Sequence, residues 1–329
     1  MTPPRHLAAA AFAIGFAASL AACGRQDPFR LRPADPSPVE QLLPESPWAG
    51  RALPMFRGRD GAVTGWAELM EAAGRCDVVI IGEQHDDAAA HEFELALVSD
   101  LLASFPGSSL ALEMLERDEQ PLVDALLAGE LAEAAFIDRT GSANWGGRPW
   151  DRSYGRLVST AARLGSPVVA ANAPRRFVRQ ARTEGYESLR ALPSDERGLF
   201  DLPRNLDRGR YRERLAELMR RARDQAGSPP PTEAEIDAAL RPQMVWDATM
   251  ARSIAAALSR RPRASSKVVH VVGRFHSDFD GGLVDELRRA APLASILTIS
   301  LVPEGSRSLR EEDRGRADLV VYTRPRSRP

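Results

Sequence analysis

The sequence predicts an α/β protein: a mostly parallel sheet covered by helices, with a small helical domain inserted. Three observations carry this expectation. Apolar, β-forming runs recur at 78–81, 109–114, 167–174, 267–273, 295–302 and 317–323, and they are continuous rather than alternating. Strands buried on both faces read in that way. Segments with helical spacing separate these runs, giving the strand–helix alternation of a parallel sheet. Between 186 and 242 the alternation stops, and charged helix-prone runs such as "GRYRERLAELMRRARDQ" replace it.

The elements follow in chain order. "MTPPRH", the small-apolar run Leu7 to Ala22 and "LAAC" read as a signal peptide over 1–22. The run falls short of the roughly 20 residues a membrane-crossing helix needs. "LAAC" resembles a bacterial lipobox, which makes Cys23 the lipidated first residue, and Gly24 in place of Asp favours sorting to the outer membrane. The Pro-rich stretch within 23–54 reads as a tether. An α/β domain is expected over 55–185 and 243–323, with the helical insertion at 186–242 between its two parts. Within that insertion, Thr232 and Glu235 have the spacing of a capping box.

Composition narrows the function. Lys and Arg number 44 against 45 Asp and Glu, with no concentrated basic stretch, so nucleic acid is not an expected partner. There are two cysteines. With Cys23 acylated, Cys76 has no disulfide partner and is expected as a small buried hydrophobe.

Chemistry is expected at the strand ends, because ligands of open parallel sheets bind beyond the carboxyl ends of the strands. The run at 78–81 passes into "GEQHDD", bringing Glu83 and His85. The next ends at Glu113, the third at Asn172 with Arg175 beyond it, and "VVGRFHSDFDGG" brings Gly273 and His276. Gly82 and Gly273 are expected to permit tight turns. Two imidazoles and two carboxylates suit a divalent metal ion, with Glu83, His85 and His276 as ligands. They also suit metal-free activation of water by Glu83 and His85. His91 is placed near this group. Asp247 is expected in the first turn of a helix after Pro242, where an acid favours the helix dipole, and it is also counted with His91, Asn172 and Arg175 among the residues of the pocket. Asp86 and Asp87 read as the start of the next helix, and His270 as a core residue.

The run of motifs "GEQHDDAAAHEFELALVSDL", "LALEML", "WDRSYGRLVSTAARLGSPVVAANAPR", "QMVWDATMARSI" and "VVGRFHSDFDGGLVDEL" resembles the ChaN-like haem-binding lipoproteins. These belong to a superfamily that also holds Tiki-type proteases and erythromycin esterase-like enzymes. The resemblance covers roughly 55–302. It implies an α/β core with a helical domain, haem bound at a homodimer interface, and Glu83, His85, Glu113 and His276 as the shared superfamily positions. It implies Tyr211 as the haem ligand, although the histidines that family members often carry further along the helical segment are missing here. Arg208, Arg210, Arg212 and Arg214 around Tyr211 are expected to lower its phenol pKa and to meet haem propionates. The resemblance leaves two functions open: haem or iron acquisition at the membrane, and an envelope hydrolase.

Overall fold

The structure, a computed structural model, describes residues 47–140, 150–206 and 209–324. The expected signal segment, Cys23 and most of the expected tether lie outside the described residues, as does Arg208. An eight-stranded sheet organises the fold: β1 (Met55–Arg57), β2 (Val63–Thr64), β3 (Val78–Glu83), β4 (Ser109–Glu116), β5 (Val168–Asn172), β6 (Val268–Gly273), β7 (Ile296–Val302) and β8 (Leu319–Tyr322). Their spatial order is β2-β1-β8-β7-β3-β6-β4-β5. The strands from β8 to β5 are parallel to their neighbours, and β1 and β2 add an antiparallel edge.

The helices are α1 (Pro47–Arg51), α2 (Trp66–Gly74), α3 (Ala88–Ser104), α4 (Gln120–Leu127), α5 (Glu133–Thr140), α6 (Tyr154–Arg163), α7 (Arg175–Glu184), α8 (Tyr186–Arg190), α9 (Ser194–Arg197), α10 (Arg210–Gln225), α11 (Glu233–Arg260) and α12 (Gly282–Ala290). Strand alternation sends Val79 and Ile81 to one face of the sheet, where Phe93, Leu97 and Leu101 of α3 and Leu157 of α6 cover them. Val78 and Ile80 face the other side, against Met250 and Ile254 of α11 and Leu283 and Leu287 of α12. Both faces are thus dry, which is why the strand sequences are continuously apolar.

Three expectations change. The tether does not extend to residue 54: α1 packs on α3, where a Cβ at Gly50 would meet the Glu92 carbonyl oxygen at 2.5 Å, and Arg51 pairs with Asp100. The helix that carries Asp247 does not begin at Pro242. α11 starts ten residues earlier at the Thr232–Glu235 capping box and passes through the proline, so the expected insertion and the sheet-covering helix share one element. Bonds from outside hold the backbone there: Tyr186 donates to the Arg241 carbonyl, and the Arg241 guanidinium donates to the carbonyls of Ala181 and Arg182. Asp247 is therefore mid-helix, and the helix dipole does not explain it.

Asp77 closes the opposite edge of the sheet. Its carboxylate accepts from the amide and hydroxyl of Ser295, at 2.9 and 2.8 Å, and from Arg261. Partial burial opposes the charge, but Ser295 and Arg261 outweigh it and hold the carboxyl at about 2. The folded pKa lies below the ordinary 3.8, so this stabilisation is present above that pH and is lost as pH falls towards 2. Asp77→Asn is expected to lower the urea-unfolding free energy by about 1 kcal/mol at pH 7, the side chain being partly exposed. The difference from wild type should shrink between pH 4 and pH 2.

Candidate functional site

From β3 the chain passes through α3 to β4, two places away, and β6 fills the slot left between them. β7 then falls on the other side of β3. The carboxyl ends of β3, β6 and β4 are consequently side by side at the point where the winding reverses, the usual place for a ligand in such sheets. In register, Glu83 stands opposite Gly273, and Glu113 follows directly on the Leu112–Val271 pair. The expected group does assemble: Glu83, His85, Glu113 and His276 all meet there.

Glu83 is 1% exposed. Its Oε1 lies 2.8 Å from His85 Nδ1 and accepts the Tyr154 hydroxyl at 2.6 Å. Its Oε2 lies 3.2 Å from His91 Nε2, close enough for an ion pair but out of line for a hydrogen bond. Burial would raise the Glu83 carboxyl; the opposing pull of His85 and His91 holds it well below the usual range. Burial likewise works against a charged His85, yet Glu83, Glu113 and Asp86 push it up to about 9. At neutral pH His85 is an imidazolium facing a carboxylate. In that state it has a proton to donate.

The second half of the group centres on Glu113 and His276. β4 leaves its ladder with β5 between Leu112 and Glu116, and Asn172 donates to the Glu113 carbonyl at 2.9 Å, steadying the irregular stretch. The Glu113 carboxylate accepts the amide of Gly273, standing in for the strand partner that β6 no longer has. Its other oxygen is 3.5 Å from His276 Nε2, and His85 Nε2 is 4.0 Å from the first. His276 Nδ1 is 2.6 Å from Asp247 Oδ1. Burial opposes the His276 charge, but Asp247 and Glu113 raise its pKa above the ordinary value; burial also raises Asp247, against the pull of His276.

Tyr211 belongs to this same site rather than to a separate domain surface. Its ring lies 4.9 Å from that of Phe275, and a Cβ at Gly282 would strike both Asp247 Oδ2 and the Tyr211 ring. Burial, followed by Asp247, raises the phenol well above its usual pKa, contrary to the expected lowering by arginines. Those arginines are otherwise engaged. Arg212 pairs with Asp237 and Glu233, while Arg210 and Arg214 lie over Phe279, at 4.5 and 5.2 Å.

The glycines serve close approach, not turning. Both lie within strands and neither has a positive φ. A Cβ at Gly82 would sit 2.4 Å from Ser277 Oγ, and one at Gly273 would sit 2.9 Å from His85 Nε2. Asp87 caps α3 through the amides of Ala89 and Ala90, as expected. His270 is buried beneath the site, its Nδ1 3.1 Å from the Ala111 carbonyl, and burial pushes its pKa down to about 4. Arg175 faces Glu116 at 3.6 Å with its side chain 41% exposed. Cys76 is free and half-buried.

Sequence reasoning missed Tyr154 and Glu94. Glu94 is fully buried on α3 with both carboxylate oxygens lacking hydrogen-bond partners; burial, then Glu83, raises its pKa well above the usual range. Among the described residues, Glu83, His91 and Glu94 form the group whose ligand atoms lie close enough to share a metal ion, in place of the expected Glu83, His85 and His276. A signal was present: Glu94 follows His91 by three residues on a helix face that is otherwise apolar.

The fold is thus a doubly covered, mostly parallel sheet with an acid–imidazole cluster at its reversal point. A family model described as haem-binding uptake, Tiki superfamily, ChaN, matches residues 69–287, and the chain belongs to that family. Among solved structures it is similar to ChaN of Campylobacter jejuni, described with cofacial haem binding, at a TM-score of 0.59 and 16% identity, covering 82% of this chain and 96% of that one. It also matches a mutant of the erythromycin esterase EreC in its open conformation, with a TM-score of 0.41 and 14% identity over 82% and 83% of the two chains. No curated protein matches the chain.

Asp247→Asn is expected to remove the charge that keeps His276 protonated, leaving burial to dominate. The His276 pKa, followed by imidazole NMR, should then fall from above 6.5 to below it. An unchanged titration would mean that Asp247 does not govern the histidine.

Proposed function

We propose that this chain is a membrane-tethered haem-binding lipoprotein of haem or iron acquisition, held at the bacterial outer membrane through Cys23. Membership of the haem-binding uptake family supports the ligand, and "LAAC" supports the anchor. The observation that carries the reading is the Tyr211 hydroxyl, a buried polar atom without a hydrogen bond of normal geometry, beside Asp247. The donor set fits haem. When bound, haem would supply a ferric centre, and Tyr211 would hold it as phenolate.

The protein's own part is to free the phenol for that role. Tyr211 is protonated at neutral pH and 7% exposed, so ligation requires the first turn of α10 to shift and the proton to leave. Asp247 is the adjacent acceptor, and its contact with His276 passes the charge onward. Arg210 and Arg214, which stack on Phe279 and Phe275, are the cations that would turn from those rings to meet propionates. The family likeness is the ground for proposing a homodimer, with haem at its interface.

A second reading, an envelope hydrolase, is favoured by the Asp247–His276–Glu113 chain. There Glu113 takes a proton from water, while the His85 and His276 cations stabilise developing negative charge. The roles differ from those expected because His85 is already protonated.

The two readings separate by substitution. Tyr211→Phe should abolish the charge-transfer bands of phenolate-bound ferric haem. His85→Ala should leave them, and His276→Ala should move their onset to higher pH. Loss of haem in both histidine variants, with Tyr211→Phe unaffected, would place haem at the strand ends instead. The anchor has its own test. One acyl chain binds a membrane only marginally, so the multiple chains of a bacterial lipoprotein are needed. Cys23→Ser should accordingly move the protein out of the membrane fraction.

A further inference from the structure

Beneath the strand-end histidines lies a second group of polar atoms that the haem reading does not use. Glu83, His91 and Glu94 are each 4% exposed or less, and one ligand atom from each lies within 4.8 Å of the others. Five of their atoms lack a hydrogen-bond partner: Glu83 Oε2, both His91 ring nitrogens and both Glu94 oxygens. Among the described residues, no lysine or arginine pairs with either carboxylate. Glu83 has the His85 imidazolium against Oε1, but Glu94 has no cation of its own, and a second carboxylate beside Glu83 is costly to bury. The backbone does not leave them free to separate, since Glu83 is fixed by strand pairing and by Tyr154, and Glu94 by the middle of α3.

We infer that Glu83, His91 and Glu94 bind a divalent first-row transition-metal ion. His91 and Glu94, three apart on α3, supply a nitrogen and an oxygen from one helix face, and Glu83 closes the group from the strand. One imidazole with two carboxylates suits Mn²⁺, Fe²⁺ or Zn²⁺. Ca²⁺ calls for six to eight oxygens and Mg²⁺ for an octahedron rich in water, so neither matches a dry site with a nitrogen ligand. Glu83 would divide its work: Oε2 on the ion, and Oε1 on His85 and Tyr154, which orient the carboxylate as outer partners commonly do. The ion would offset the charge of the buried acids and link α3 to the end of the central strand. This site is distinct from Tyr211 and does not rest on haem binding.

The test uses the full chain in detergent, stripped with chelator and dialysed overnight against Mn²⁺, Zn²⁺ or, anaerobically, Fe²⁺. Metal content, Mn²⁺ electron paramagnetic resonance and thermal melting are then read. Wild type should retain about one ion per chain and melt several degrees higher with it, because binding to the folded state alone stabilises that state. Glu94→Gln keeps the side-chain shape and removes the charge; it should bind more than about 100-fold more weakly, since even outer partners contribute 10- to 100-fold. Without metal it should melt no lower than stripped wild type, which excludes misfolding as the cause. His276→Ala should retain the ion. No retained ion in wild type would mean that a shared proton joins the two acids, and would overturn the proposal. So would full binding by Glu94→Gln, or loss of the ion in His276→Ala alone, which would put the metal at the strand ends.

Discussion

The architecture around the site depends on one buried carboxylate. Glu83 ends the central strand at 1% exposure, and its neighbours come from separate elements: His85 from the following loop, His91 from α3 and Tyr154 from α6. Apolar packing can place a helix over a sheet, but it discriminates weakly between small slides and rotations of that helix. A buried anion discriminates strongly, because losing a partner leaves charge in a low-dielectric interior at a cost of several kcal/mol. α3 and α6 are thus tied to the sheet, and to each other, through the same two oxygen atoms. The edge-on contact of the His91 and Tyr154 rings, 5.3 Å apart, is the packing consequence.

The parallel sheet was legible because each of its six strands is buried on both faces and therefore reads as an unbroken apolar run. β1 and β2 were not, since three and two residues are too few to show a period. The continuity of α11 was hidden by Pro242, a residue that ends most helices. The Arg241 and Tyr186 bonds that brace the helix beside the proline cannot be seen in a single segment. The convergence of Glu83, Glu113 and His276 could be anticipated from their places after strands. The reason they converge could not, because it lies in β6 entering the gap between β3 and β4.

The residues whose setting was open or misread share a cause. Asp247, expected in the pocket, could equally be a dipole-favouring acid until the helix is known to begin at Thr232. Gly82 and Gly273 resemble turn formers until the side chains that pass over them are known. Tyr211 resembles a residue of an appended domain until α10 is seen against the Phe275 loop. In each case the local sequence is compatible with a local explanation, and the actual constraint is a contact more than 25 positions away in the chain. Glu94 differs, for a carboxylate on a buried helical face has no local explanation, and that mismatch is itself the signal.

The site then divides into two electrostatic halves that meet at His85. On one side the Glu83 carboxylate is buried with His91 and Glu94, and little of it faces solvent. On the other, Glu113, His276, Asp247 and Tyr211 form a chain from the strand end to the helical segment, running from acid to base to acid to phenol. His85 borders both, bound to Glu83 through Nδ1 and turned towards Glu113 through Nε2. Its side chain is 12% exposed, more than those of Glu83, Glu113, Asp247 or His276. A ligand that brings negative charge to the mouth therefore meets the His85 cation first, and its binding is felt by both halves. Neutralising His85 weakens the hold on Glu83 and at the same time removes a positive neighbour of Glu113. The same imidazolium that fixes the buried half thereby sets how readily the outer half accepts or gives up a proton.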